Sequence, residues 1–322
     1  MDTNTYATSA YIGAPPDQVF AYLCNLENLN EWTLNSRMRR RVAQSTWLGT
    51  ASGYQRELYY HLRVNDLGPV RSIEWHCGFE VDVYFQVYPV FLFQPSYVGD
   101  TNDERGVYFH WLSFVDPLRR TPMIEQGIGI AHRAECRSLK GILERKAGHR
   151  AYVEGAYEVI GDTIFIAAPF EMGARYLSDA GRIGEWSHLL KLEKAESPSR
   201  SLFRDEYGRP LAVSLRTASR DYCCLIEQAD EYDGSRRRRS ASFLIRAAYA
   251  LGDPDAKGFF FHRISFWSKV ADRSLGKVDR ADYQAEMINA KRLLETEAGD
   301  RSTFDRGLSY VPYDVRAAQR TR

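Results

Sequence analysis

Two histidines occupy matching places in a repeated segment of the chain. Residues 106–114 (GVYFHWLSF) match residues 258–266 (GFFFHRISF) at a spacing of 152, which aligns His110 with His262. Residues two apart along a strand share one face, so each histidine would lie between aromatic or apolar neighbours. An imidazole titrates near neutrality, which makes both residues candidate general acids or bases. The alternative is a packed histidine that is hydrogen-bonded to a backbone carbonyl or a carboxylate.

A second pair of candidates lies on two amphipathic segments. His132 and Cys136 fall on one helical face with Leu139 and Leu143, and the matching stripe of the later segment contains Tyr283. This spacing of four, three and four residues indicates one face of a helix. A histidine there would bring a titrating donor to an otherwise apolar surface. Packing of both side chains in a core is the alternative.

Further aromatic and polar side chains are predicted on strands. The candidates are Trp75, His76, Tyr84 and Tyr88 in the first half of the chain and Arg216 in the second. A cavity lined by His76, Tyr84, Tyr88 and His110 could polarise ketones and move protons. Arg216 could bind an enolate or a carboxylate. Tyrosines on an outer face and a solvated arginine at a strand end are the corresponding alternatives.

Arginine is concentrated in two places. Residues 236–239 are all arginine, and so are positions 37, 39, 40 and 41. Either cluster could contact the phosphate of a carrier-protein arm, or the acidic carrier itself. A basic surface hairpin is the simpler explanation of both clusters.

The composition narrows the classes of function. The 322 residues include 43 Lys plus Arg and 42 Asp plus Glu, a net charge of +1 that argues against a nucleic-acid-binding protein. No apolar run approaches the roughly 20 residues that span a bilayer, and no leader segment is evident, so we expect a cytoplasmic protein. Glycine-rich phosphate loops, nucleophile elbows and metal-ligand spacings do not occur, so no cofactor and no metal is predicted. An aromatic content of 13% suits a cavity for a hydrophobic or aromatic small molecule, and it equally suits a β-rich core.

Internal duplication organises the chain. The dipeptide Ala-Pro at positions 14–15 recurs at 168–169, and Glu-Trp at 31–32 recurs at 185–186, both at a spacing of 154. A period this long indicates tandem domains. We predict a first domain over residues 1–150 and a second over residues 151–322.

Each copy predicts the same order of elements. A short strand is followed by a helix that begins near a proline, a second short helix, a run of strands and a long amphipathic helix. One of the strands is predicted over residues 81–93, and the long helices over residues 124–146 and 279–297. Runs of strands with segregated helices indicate an α+β domain.

This layout resembles a known family. Residues 12–20 (IGAPPDQVF) and 29–33 (LNEWT), with 167–169 (AAP) and 183–187 (IGEWS) in the second copy, are similar to the START-like, or helix-grip, superfamily. The polyketide cyclase/dehydrase branch looks closest, and tandem copies resemble the di-domain aromatase/cyclases of bacterial aromatic polyketide pathways. The resemblance implies a curved antiparallel sheet wrapped around the long C-terminal helix, with the His132 stripe facing an enclosed cavity. It also implies that the cavity folds a poly-β-ketone and directs aldol closure and dehydration.

Three functions remain open. One is a cyclase, aromatase or dehydratase that acts on a polyketide-like, carrier-bound intermediate. The second is a non-catalytic binding or transfer protein for a lipid or aromatic ligand, and the third is another lyase or cyclase of specialised metabolism. We expect the chemistry in the first copy, with His110 or His132 as acid or base and Tyr84 or Tyr88 as donor. The predicted substrate-binding residues are Trp75, His76, Cys136, Arg216, His262 and Tyr283.

Overall fold

Two compact units divide the chain. In the computed structural model the described residues are 5–52, 54–81, 84, 86–100, 106–115, 122–220, 222–247, 258–270 and 280–299. Those up to Val159 form unit one, and those from Ile160 form unit two. Each unit contains one seven-stranded sheet among its described residues.

Unit one combines a meander of strands with one long helix. Its strands are β1 Thr5–Ile12, β2 Ser36–Ala43, β3 Thr46–Ala51, β4 Leu58–Asp66, β5 Val70–Gly78, β6 Gln86–Phe93 and β7 Val107–Val115. Its helices are α1 Pro16–Cys24, α2 Leu29–Trp32, α3 Pro95–Val98 and α4 Pro122–Lys146, with a 3₁₀ turn at Leu26–Asn28. The sheet order is β1-β7-β6-β5-β4-β3-β2, and every neighbouring pair is antiparallel.

Unit two repeats this order. Its strands are β8 Tyr157–Ile166, β9 Leu190–Ser197, β10 Arg200–Asp205, β11 Pro210–Arg220, β12 Cys223–Tyr232, β13 Ser235–Ala247 and β14 Gly258–Ser268. Its helices are α5 Phe170–Leu177, α6 Ile183–Trp186 and α7 Arg280–Ala298, with a 3₁₀ turn at Ala180–Arg182. The sheet order β8-β14-β13-β12-β11-β10-β9 matches that of unit one strand for strand. Strand β8 begins shortly before the division between the units.

The long helix of each unit packs on one face of its own sheet. Leu139 and Leu143 of α4 share a core with Val90 of β6, and Leu294 of α7 shares one with Phe261 of β14. Each fully buried leucine contributes roughly 1.5–3 kcal/mol by leaving water. The arrangement confirms the predicted α+β, helix-grip fold in both copies. Within the described residues, no helix has the length and apolar character that crossing a bilayer requires.

One predicted strand is shorter than expected. Strand β6 begins at Gln86, so Tyr84 precedes it instead of lying on it. The Tyr84 ring lies 5.3 Å from the ring of His76 and 6.0 Å from that of His61. These contacts hold Tyr84 against side chains of β4 and β5.

A lysine–glutamate pair ties α4 to the end of β1. Lys140 Nζ lies 2.5 Å from Glu144 Oε1 and also donates to the carbonyl of Tyr11. The same carboxylate oxygen accepts the N–H of Gly13 at 2.8 Å. The pair supplies partners to backbone groups at the strand end that no sheet neighbour would satisfy. It recurs in unit two at a spacing of 151 residues.

Candidate functional site

Unit one contains a cavity between its sheet and α4. It measures about 230 Å³, and exposed residues Ser52 and Gly127 lie at its edge. A cavity of about 150 Å³ holds a benzene-sized ligand, so this one accommodates a compact part of a molecule with one or two rings. The aromatic and polar side chains that line it include Tyr60, Trp75, Gln86, Tyr88, Trp111, His132 and Glu135.

Indole rings form the apolar side of the cavity. Trp75 and Trp111 line it, and the Trp32 ring packs behind them at 5.9 and 5.4 Å between centroids. Trp111 also stacks on the imidazole of His132, with 3.6 Å between centroids and 19° between planes. Broad ring faces of this kind suit a flat, unsaturated ligand. The predicted role of Trp75 at the cavity is consistent with this position.

His132 lies on the cavity side of α4 and is 3% exposed. Its Nε2 shares a hydrogen bond with Ser113 Oγ, and its Nδ1 has no hydrogen-bond partner among the described residues. Burial, with a smaller effect of His110, lowers the pKa of His132 to about 3. The expectation that this imidazole titrates near neutrality is therefore wrong. A neutral imidazole can still donate or accept one hydrogen bond at a ligand oxygen.

Glu135 is an acidic residue of the cavity wall that was not among the predicted site residues. Its Oε1 accepts the N–H groups of Leu34 at 2.6 Å and Asn35 at 3.2 Å. Its Oε2 has no hydrogen-bond partner in the part of the chain that the structure describes. Burial raises the pKa of Glu135, although both N–H groups and the charge of Arg37 oppose the shift. The sequence signal that would have identified it is its position one helical turn after His132.

Tyrosine hydroxyls lie on the polar side of the cavity. The predicted donor Tyr88 lines it, and its hydroxyl donates to Gln86 Oε1 at 2.8 Å. Tyr60, which was not predicted, points its hydroxyl at Ser36 Oγ at 3.3 Å. Burial raises the pKa of both phenols, so both remain protonated donors at neutral pH.

His110 lies on the other face of the sheet. Its neighbours Phe109 and Trp111 point into the core beneath α4, so the side chain of His110 points away from the helix. Its Nδ1 shares a hydrogen bond of 2.6 Å with Ser9 Oγ. The prediction that His110 lines the cavity is wrong, because alternation groups residues by face without saying which face meets the helix.

His76 and Tyr84 are also outside the cavity. Trp75 faces α4, so His76 faces the opposite way, where its Nε2 lies 2.8 Å from Glu74 Oε2. Tyr84 packs edge-on against His76 and shares this location. Their predicted place in the cavity wall is wrong for the same reason as that of His110.

Cys136 belongs to the core and not to the cavity wall. It is buried and packs with Leu139 on the α4 stripe. Burial raises the pKa of its thiol to about 11, so the thiol stays protonated at neutral pH. Its observed role is packing, and the predicted contact with substrate is not seen in the cavity wall.

A match to a family profile assigns the chain to a protein family. A family profile described as domain of unknown function (DUF8713) matches residues 1–152 and again residues 159–303. The chain belongs to the DUF8713 family. Each match covers one copy of the internal duplication.

Several solved structures are similar to this DUF8713 protein. The di-domain aromatase/cyclases BexL, of the BE-7585A pathway, and StfQ, of the steffimycin pathway, are each 13% identical and each cover 91% of this chain. The matches cover 95% and 99% of those chains, both with a TM-score of 0.32. A START superfamily protein from Mycobacterium smegmatis is 10% identical over 44% of this chain and 98% of its own, with a TM-score of 0.30. No curated protein matches the chain. Because these TM-scores are low, the fold of the DUF8713 protein is assigned from its own strand order and from the long helix that packs on each sheet.

The second DUF8713 copy has a smaller and charged cavity. It measures about 60 Å³ and is lined by the predicted residue Tyr283, together with Arg263 and Glu286. Arg263 and Glu286 form a buried ion pair, and the guanidinium lies 4.5 Å over the Tyr283 ring. By repeat spacing, the two charged residues match Trp111 and Glu135 of the first copy. A buried ion pair thus stands where the first copy has an indole and an unpaired carboxyl.

Two predicted residues of the second DUF8713 copy lie outside this cavity. Arg216 follows the inward-facing Leu215 on β11 and is exposed, opposite Glu227 on β12. His262 is buried on the face of β14 that points away from α7, where it stacks on Phe260 at 5.9 Å between centroids. Neither residue therefore lies in the wall of the unit-two cavity, where a substrate-binding residue was expected. The described residues also contain no group of His, Cys, Asp and Glu that could hold a metal ion.

Proposed function

We propose that the first DUF8713 copy binds a ketone-rich, hydrophobic intermediate and promotes its aldol-type ring closure and dehydration, as a polyketide cyclase or aromatase does. One observation carries the proposal. The cavity of unit one is lined by indole rings, a neutral imidazole, protonated phenols and a carboxyl of raised pKa. These groups match what the reaction needs, and the second copy lacks the combination.

The reaction needs little covalent participation by the protein. A base takes an α-proton from a carbon between two carbonyl groups, and that carbon forms a bond to a ketone carbon of the same chain. The ketone oxygen then receives a proton. Loss of this hydroxyl group with a neighbouring α-proton releases water and leaves a carbon–carbon double bond. No oxidant or reductant is consumed, and positioning alone is worth about 7–11 kcal/mol in well-oriented model reactions.

Neutral hydrogen-bonding groups hold the developing enolate in this proposal. Tyr88 supplies a hydroxyl whose proton turns from Gln86 Oε1 to the ligand oxygen, and His132 supplies a neutral imidazole whose Nδ1 is not engaged by the described residues. Fixed donors in a cavity that excludes water stabilise a developing oxyanion strongly. Trp75 and Trp111 keep the reacting chain flat against the indole faces.

Filling the cavity should weaken binding and remove control over the products. Ala131 lines the cavity and is 9% exposed, so Ala131→Phe places a ring where the ligand would lie. Overpacking of this kind costs about 1–3 kcal/mol, so we expect about 10–100-fold weaker binding of 2-naphthol. Binding is measured by quenching of tryptophan fluorescence. The products formed from a synthetic tetraketide thioester are measured by chromatography, and they should revert to those formed in buffer.

Ala134→Phe is the matched control, because Ala134 lies on the exposed side of the same helix. It should retain binding and the product distribution of the wild-type protein. If Ala131→Phe also retains them, the cavity is not the reaction site. If the wild-type protein binds 2-naphthol but leaves the products unchanged from buffer, the chain is a non-catalytic binding protein.

The basic strand beside the cavity supports a carrier-bound substrate. Strand β2 contains four arginines and no acidic residue, whereas the matching β9 contains two lysines and two glutamates. Ser36 at the start of β2 lines the cavity, so the arginines begin at its wall. The basic strand therefore occurs in the copy that has the larger cavity. Its charge is complementary to an acidic acyl carrier protein with a phosphate-bearing arm.

Reversing one charge of this strand should slow the reaction of a carrier-bound substrate. Arg40 is exposed, and Arg40→Glu should lower the association rate with an acyl carrier protein by up to about tenfold at low salt. Turnover of the free thioester should not change. Lys194→Glu, at the matching position of β9, is the control and should affect neither rate. Equal slowing of free and carrier-bound substrates by Arg40→Glu would argue against docking at β2.

A further inference from the structure

We propose that Glu135 is the general base that removes the α-proton in the cavity of unit one. This inference rests on the proposed function, because it takes that cavity as the reaction site. It adds a residue that the sequence did not single out, and it explains why the two copies differ.

The position of Glu135 suits proton abstraction. It lines the cavity one helical turn from His132, so the base and a neutral hydrogen-bonding group face the same space. The N–H groups of Leu34 and Asn35 hold Oε1, which orients the carboxylate. A general base must lie within hydrogen-bond reach of the proton that it takes, and Oε2 is not engaged by any described residue.

The pKa of the matching carboxyl in unit two is shifted in the opposite direction. Burial acts to raise the pKa of Glu286, but the charge of Arg263 and hydrogen bonds from Ser187 and Arg263 lower it overall. In unit one the residue that matches Arg263 is Trp111, which has no charge. A carboxylate with a raised pKa is a stronger base, whereas one locked in a buried ion pair is a weak one.

The charged and titratable groups around Glu135 come from β2, β4, β6 and α4. Arg37 on β2 is an exposed cation that offsets part of the shift. Tyr60 on β4 and Tyr88 on β6 have raised pKa values, and His132 on α4 has a pKa of about 3. Activity should therefore fall as the pH drops through the pKa of Glu135, which lies above its ordinary value of 4.5.

A small reporter substrate tests the base without knowledge of the natural substrate. The two-ring compound 5-nitrobenzisoxazole loses its C3 proton to a base, its N–O bond breaks, a nitrile forms and the oxygen leaves as a coloured phenolate. The wild-type protein should open this ring faster than buffer does. Glu135→Gln should lower that rate by about 10²–10⁴-fold, as removal of a general base typically does. Glu286→Gln, at the matching position of unit two, should retain the wild-type rate once circular dichroism shows that it is folded.

Chemical rescue separates a base from a structural role. In Glu135→Ala, added formate should restore part of the rate, because a small carboxylate can take the place of the missing side chain. If Glu135 acted only through its contacts with Leu34 and Asn35, added formate should not restore the rate. A wild-type rate equal to that of buffer, or a Glu135→Gln rate equal to wild type, would overturn the inference.

The proposed cyclisation is measured separately, with the tetraketide thioester as the substrate. If the protein directs the products but does not accelerate the reporter reaction, the cyclase function is supported and the assignment of Glu135 fails. If Glu135→Gln abolishes reporter turnover while the wild-type protein leaves the tetraketide products as in buffer, Glu135 is a base and the cyclase function fails.

Discussion

Replacing Lys291 with Met should lower the free energy of unfolding of unit two by about 3–5 kcal/mol. Lys291 is 0% exposed, and its Nζ pairs with the carboxylate of Glu295 and donates to the carbonyl of Phe165 at 2.9 Å. Glu295 Oε1 also accepts the N–H of Ala167 at 2.7 Å. Without the ammonium group, the buried carboxylate of Glu295 loses the cation that lies against it, and breaking a buried pair by removing one partner is the costly case.

Two further variants separate the charge from the packing. Lys291→Met combined with Glu295→Gln removes both charges and keeps an acceptor for Ala167, so it should recover much of the lost stability. Arg292→Met, at the exposed next position, should stay within about 0.5 kcal/mol of wild type. Calorimetry and hydrogen exchange, which resolve unit two from unit one, measure the changes. Equal losses for Lys291→Met and Arg292→Met would contradict the interpretation.

Unit one should lose roughly 3 kcal/mol of stability through His132 alone when the pH falls from 7 to 4. Burial lowers the pKa of His132 from the ordinary 6.5 to about 3. Between these values the unfolded chain binds a proton that the folded chain does not bind. Stability therefore declines as the pH drops through this range, and the contribution is fully present above about pH 6.5.

The His132→Gln variant removes this proton linkage. The free energy of unfolding, measured by urea titration at several pH values, should depend less steeply on acid in the variant than in wild type. Glu135 has the opposite sign, since its raised pKa adds stability as the pH falls, but it is common to both proteins and cancels in the difference. His149→Gln, at an exposed position of unit one, should keep the wild-type dependence. Equal acid dependence in His132→Gln and wild type would mean that folding does not lower the pKa of His132.

The duplication and the order of elements could be determined from the sequence alone. Repeat spacing and the helical stripe of Leu139 and Leu143 are patterns along the chain, so they do not depend on how the elements meet. The resemblance to the helix-grip superfamily implied that this stripe faces a cavity, and His132 lines the cavity of unit one. Tyr88 was also placed at the cavity from its strand and Trp75 was predicted to bind substrate, and both residues line the cavity.

Only the tertiary structure decided which face of each strand meets the helix. Along β7 both faces are buried, so Tyr108 and His110 on one face are as enclosed as Phe109 and Trp111 on the other. Hydrophobic alternation, the signal that distinguishes an inner from an outer face, is therefore missing from this strand. His110 was predicted to line the cavity, and its neighbour Trp111 does so.

The pKa shifts of the two matching carboxyl groups could also be determined only from the tertiary structure. Glu135 and Glu286 are equivalent residues of two similar helices, and nothing local to either helix distinguishes them. The pKa of Glu286 is lowered by Arg263, which strand β14 brings alongside. The pKa of Glu135 is raised by burial, and the residue that matches Arg263 in its cavity wall is the uncharged Trp111. A pKa responds to burial and to charges within a few ångströms, and such neighbours are set by packing and not by position along the chain.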